Sequence, residues 1–237
     1  AGVLNDSMSE GAAARAKFTD YAWIGSITRD FRVCFAWRGT GILNWDDLAK
    51  RKESVFGAAG AVSSSANNIA MLRNLLNVNL KTIHGYPGNT EMFLAVERGE
   101  LDGSCVTWSS LPDHWVKNNT ISVLTRLSPS TQPGVPESVK FVGDLVTTQE
   151  QKDILDVLLA SGELGRPFIT SPKVPADRLQ ALRAAFDASM TDTAFLADAE
   201  KQKLPIDPVG GVEAEKIVTR LYSFPAALVE KAKNAVK

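Results

Sequence analysis

The 237-residue chain exceeds the usual size of one domain, so one large or two modest domains are expected. Its 26 basic and 27 acidic residues leave a formal net charge of −1, which excludes the electrostatic footprint of a nucleic-acid or anionic-membrane binder. An apolar share of 44% can fill a sizeable core, and no apolar run approaches the roughly 18 residues that a membrane-spanning helix needs.

The chain begins at Ala1 without an initiator Met or a leader peptide, as a processed or cut product would. Residues 1 to about 20 are polar and Ala-rich. Residues 31–37 (Phe-Arg-Val-Cys-Phe-Ala-Trp) are rich in β-branched and aromatic side chains and predict a strand. Asn44 then caps a short helix over 45–51, and a strand at 53–56 enters a Gly-Ala-Ala-Gly turn. A helix follows over about 65–76, where Ile69, Leu72, Leu75 and Leu76 keep a helical period. Next come a strand at 80–84, a helix at 89–98 stopped by Gly99, and a strand at 104–108. A helix from Ser109 or Ser110 to about Lys117 and a strand at 121–127 complete the alternation. Strands alternating with helices in this way predict an α/β domain built on a parallel, doubly wound sheet. Beyond it lie a proline-rich loop, a helix at 149–160, a strand at 166–170 and a helix at 175–190. Amphipathic helices at 193–204 and from Val212 onward end the chain, with Pro225 kinking or breaking the last one.

Three strand-to-helix turns share one design: Gly57-Ala-Ala-Gly-Ala-Val-Ser-Ser-Ser65, Gly85-Tyr-Pro-Gly-Asn-Thr90 and Trp108-Ser-Ser110. Ser, Asn and Thr at such positions cap orphan helix amides, which alone accounts for them. Three of them on one edge of a parallel sheet also make a place where a carboxylate collects. The candidate ligand residues are therefore Ser63, Ser64, Ser65, Gly88, Asn89, Thr90, Trp108, Ser109 and Ser110. A nucleotide-phosphate reading of the first turn fails, because the third glycine of GxGxxG is missing and no Lys follows.

Catalytic material is scarce. HExxH, GxSxG, CxxC and Walker-type motifs are absent, and two histidines leave little for acid–base or metal chemistry. A Glu97–Asp102 carboxylate pair lacks a His or metal partner in the sequence, His84 reads as a strand-end residue, and His114 reads as a surface residue. The expectation is no enzyme, no cofactor and no metal. Cys34 and Cys105 fall in predicted strands, and they are either two buried thiols or, if the strands are neighbours in an oxidising compartment, a disulfide.

The run Tyr86-Pro-Gly-Asn-Thr-Glu-Met-Phe-Leu-Ala-Val-Glu-Arg-Gly-Glu-Leu-Asp-Gly103, followed by Cys105 and Trp108-Ser-Ser110, resembles the Bug family. These are the extracytoplasmic solute receptors of tripartite tricarboxylate transporters. Fainter echoes are Trp23-Ile-Gly-Ser26 and Arg166-Pro-Phe-Ile followed by Val174-Pro-Ala-Asp-Arg. The resemblance implies the two-lobed periplasmic-binding-protein fold of the second type. Residues 1–37 and 165–237 would form an incomplete first lobe that lacks the family's N-terminal portion, and 38–164 the second lobe. It also implies a small carboxylate ligand, the membrane components of a tripartite transporter as partners, and a periplasmic location. The alternative is a shortened remnant serving as an interaction module, pairing as a homodimer and holding no ligand of its own.

Overall fold

The computed structural model describes residues 17–202 and 204–237. In chain order its elements are β1 (Ala22–Ser26), β2 (Arg32–Trp37), α1 (Trp45–Lys50), β3 (Ser54–Gly57), α2 (Ser64–Leu76), β4 (Leu80–Ile83), α3 (Asn89–Glu97) and β5 (Gly103–Thr107). There follow α4 (Asp113–Lys117), β6 (Ile121–Arg126), α5 (Gln149–Ala160), β7 (Pro167–Thr170) and α6 (Ala176–Ser189). The chain closes with α7 (Thr193–Lys201), β8 (Val209–Gly210), α8 (Gly211–Ser223) and α9 (Ala226–Ala235). Asn44 caps α1 as expected, its side chain accepting from the Asp47 amide. The polar opening stretch, as far as residue 16, lies outside the described residues.

The described chain divides into two units. Unit 1 holds residues 17–30 and 156–229, and unit 2 holds 31–155 and 230–237. These boundaries differ from the expected lobes at both ends. The strand at 32–37 belongs wholly to unit 2, because it lies inside that unit's sheet with a strand hydrogen-bonded on either side. The chain's last residues join unit 2 as well: Arg73 donates to the Lys237 carbonyl and Asn74 to the Ala235 carbonyl, both at 3.0 Å.

Unit 2 is built on a five-stranded sheet of order β4-β3-β5-β2-β6. Strand β3 runs parallel to β4 and β5, but β2 is antiparallel to both β5 and β6. The sheet is therefore mixed, which corrects the all-parallel expectation. Strand direction is a matter of which partner a strand finds, and the alternation of strands and helices does not encode it. One face carries a cluster of Val33, Phe35, Phe93, Val96, Leu101 and Trp115 with further apolar side chains of α3 and α4. Cys34 and Cys105 face each other in register across β2 and β5 and are joined by a disulfide.

Unit 1 holds a three-stranded sheet of order β7-β1-β8, with β1 antiparallel to both neighbours. The chain-order reading placed no strand at β1 or β8. Trp23 of β1 sits 1% exposed among Ala214, Ile217, Val218 and Leu221 of α8, whose apolar stripe recurs at helical spacing. On the other side of β1, a side chain at Gly25 would strike the Phe186 ring at 2.3 Å, so only glycine lets α6 approach there.

Candidate functional site

Because β4, β3 and β5 are parallel neighbours, the turns that follow them emerge at one edge of the unit 2 sheet. The structure thus brings all nine sequence-predicted ligand residues to that edge. It also sews two of the turns together: Ala58 N–H donates to the Ile83 carbonyl at 2.9 Å and Gly85 N–H to the Ala59 carbonyl at 2.6 Å. Gly85 has φ 102°, a conformation that excludes most side chains.

Within each turn the polar side chains divide into those spent on the fold and those left to present. Ser63 caps α2, accepting from the Ala66 amide at 3.2 Å, and its hydroxyl lies 3.0 Å from that of Ser65. Ser65 in turn accepts from the Ala59 amide at 3.2 Å and so fixes the first turn. Ser110 donates to the Thr107 carbonyl at 2.7 Å. These three hydroxyls hold backbone.

The second turn is different. Helix α3 is capped by Gly88 in an extended conformation, with no side-chain cap. Asn89 and Thr90 are the first helical residues, not caps as the sequence reading had them, and both are exposed. Its first-turn amides, Asn89, Thr90 and Glu91, have no backbone acceptor among the described residues. Uncapped amides at the positive end of a helix dipole favour an anion. Ser64 opens α2 beside them in the neighbouring turn, half-buried.

The third turn also departs from expectation. Residues Trp108–Ser110 form a 3-10 turn, and α4 starts only at Asp113 after Pro112. Proline has no amide to donate and disfavours helix at the residue before it, so one continuous helix from Ser109 cannot form. Ser109 is exposed, whereas the Trp108 indole donates to the Pro133 carbonyl at 3.3 Å and packs on the unit 2 core.

Two arginines escaped the sequence reading. The antiparallel run of β2 sets Arg32 opposite Thr107, so it enters the sheet at the same edge as the turns. Arg126 ends β6 at that edge, with its guanidinium 5.5 Å from the Phe141 ring centre and its Nη1 on the carbonyls of Ser128, Pro129 and Ser130. No sequence signal marks either, since their placement follows from strand direction alone.

The other residues weighed in the sequence have structural partners or lie apart. Glu97 accepts from the Trp115 indole at 2.8 Å, with His114 Nε2 3.8 Å away, and Asp102 accepts from the Val55 amide at 2.7 Å. Among the described residues, no group of three or more His, Cys, Asp or Glu side chains could hold a metal ion, and no helix is long and apolar enough to cross a membrane.

No family model matches the chain, and no curated protein matches it by sequence. Solved structures do match. A TctC solute-binding protein from Polaromonas superposes with TM-score 0.71 at 16% identity, covering 95% of this chain and 75% of its own. The fold is that of the periplasmic solute-binding proteins. The periplasmic binding protein BugD matches at TM-score 0.65 and 15% identity, covering 99% of this chain and 75% of that one. MatC from Rhodopseudomonas palustris, solved with bound malate, matches at TM-score 0.61 and 12% identity, covering 98% and 75%. The chain thus spans about three quarters of each.

Proposed function

We propose that this chain is a solute receptor that binds a small carboxylate at the turn edge of unit 2. The observation that carries the reading is the uncapped amino end of α3, flanked by the unspent side chains of Asn89 and Thr90. There a carboxylate would replace water at amide donors already in place and would gain from the helix dipole. Ser64 and Ser109 would extend the donor set from the adjoining turns, with Trp108 as a wall. Ser63, Ser65, Ser110 and Gly88 would act through the backbone they hold or expose. Binding is non-covalent, and no reaction is expected. The solute-binding fold and the malate in MatC support a carboxylate as the ligand class. A periplasmic location and the membrane components of a tripartite tricarboxylate transporter belong to the same proposal. The Cys34–Cys105 disulfide suits an oxidising compartment of that kind.

Thermal melts against a panel of small carboxylates test it. A ligand at about a hundred times its dissociation constant should stabilise the protein by about 2.7 kcal/mol, and the Asn89→Ala/Thr90→Ala pair should lose most of that shift. A flat panel, or an unchanged affinity in the double variant, sinks the proposal. A second reading, a shortened module that pairs with its own copy and holds no ligand, draws on the exposed Phe168, Ile169 and Leu182 side chains of unit 1.

A further inference from the structure

The three turns that frame the candidate site carry no charged side chain: none stands in 57–65, 85–90 or 108–110. Their middle is small and apolar, and their sides are aromatic. Strand β3 lies between β4 and β5, and it leaves the sheet through Gly57-Ala-Ala-Gly-Ala61, where no side chain is larger than a methyl. At Gly57 this smallness serves packing, since a Cβ there would meet Leu101 Cδ1 at 2.5 Å. At Gly60 it does not. A Cβ there would find nothing within 4 Å, and the backbone lies outside the left-handed region that favours glycine.

Tyr86 follows β4 and Trp108 follows β5, so an aromatic residue stands on either side of the β3 exit. Both are half-buried and pack against the same apolar cluster of unit 2. Their strands are two places apart in the sheet, roughly 10 Å at the usual spacing, which suits one ring or a short branched chain between them. Val62, 91% exposed on the first turn, adds an apolar lip.

Charge at the open end of α3 points the same way. Glu91 stands in the first turn of that helix, with its Oε2 3.4 Å from the place of a Cβ on Gly88. Its carboxylate already draws on the helix dipole, so a ligand with two or three carboxylates would bring further negative charge against it. The arginines of this edge, Arg32 and Arg126, stand on β2 and β6, on the far side of β5 from the turn that opens α3.

We propose that the ligand is a monocarboxylate with an apolar, ring-sized body. Its carboxylate sits at the amino end of α3, and its body covers the β3 exit between Tyr86 and Trp108. The proposal rests on the carboxylate reading of this site and narrows it, since Glu91 disfavours polyacids and the smallest acids lack a body to bury. Burying two CH₂ groups is worth about tenfold in affinity, and a ring offers more than that.

Titration calorimetry of the full chain with acetate, 3-phenylpropanoate, malate and citrate tests it. 3-Phenylpropanoate is expected to bind at least about tenfold tighter than acetate and than either polyacid. Tyr86→Ala should weaken 3-phenylpropanoate at least about fivefold. Glu91→Gln should raise malate affinity by a larger factor than 3-phenylpropanoate affinity, because a dianion feels the lost repulsion twice. Malate or citrate binding tighter than 3-phenylpropanoate, or acetate binding as well, overturns the proposal and leaves a carboxylate receptor standing. An unchanged 3-phenylpropanoate affinity in Tyr86→Ala overturns the proposal in the same way. Failure of all four acids to bind overturns both. If Tyr86→Ala fails to fold, the ranking on the parent chain and Glu91→Gln decide.

Discussion

Strands β2 and β7 have similarly apolar sequences and opposite fates. In β2, Val33, Cys34, Phe35 and Ala36 are all 0% exposed, while in β7 neither Phe168 nor Ile169 is buried. The difference is one of neighbours. Strand β2 has β5 on one side, β6 on the other and a packed apolar cluster on its face. Among the described residues, β7 has a strand on one side only, and α6 buries no side chain. Burial belongs to the number of covered sides, and apolar composition only makes a segment eligible for it.

Breaking the covalent link in the well-covered unit should have the largest effect. The Cys34–Cys105 bond closes a separation of 71 residues, and in the chain-entropy model its loss costs about 4 kcal/mol. Urea unfolding of Cys34→Ala/Cys105→Ala should show that loss, and a midpoint within error of the parent chain would contradict it. Next comes a cavity in the same unit. Leu72 is 0% exposed, and Leu72→Ala should cost about 3 kcal/mol by the same measurement. The smallest effect belongs to unit 1, where Leu182→Ala should stay within about 0.5 kcal/mol because the side chain is 41% exposed. A large loss there would mean that α6 is covered in solution. It would then strengthen the case for a partner on that surface, provided the loss depends on protein concentration.

The candidate site repeats the contrast on a smaller scale. Ser63 and Ser65 satisfy backbone, while Asn89 and Thr90 point to no described partner, although all four are small polar residues at helix starts. The distinction turns on one residue. Ser63 has a side chain that reaches the Ala66 amide, and Gly88 in the equivalent place has none, so the amino end of α3 stays open.

By itself the sequence determined most of the local elements, β1, β8 and the turn at Trp108–Ser110 apart, and the chemistry available to them. Apolar period, caps and punctuating glycines and prolines act within a few residues, so Asn44, Gly99 and Pro225 set their helix ends wherever the helices lie. The turn motif and its resemblance were likewise legible, because strand, turn and helix are contiguous. Only the tertiary structure decided what depends on partners distant in the chain. It turned β2 antiparallel, brought Arg32 and Arg126 to the turn edge and set Cys34 against Cys105. It also left β7 at the border of its sheet. Backbone hydrogen bonding between strands is the same for every sequence, so the choice of neighbour falls to packing summed over the whole domain, which no local window contains.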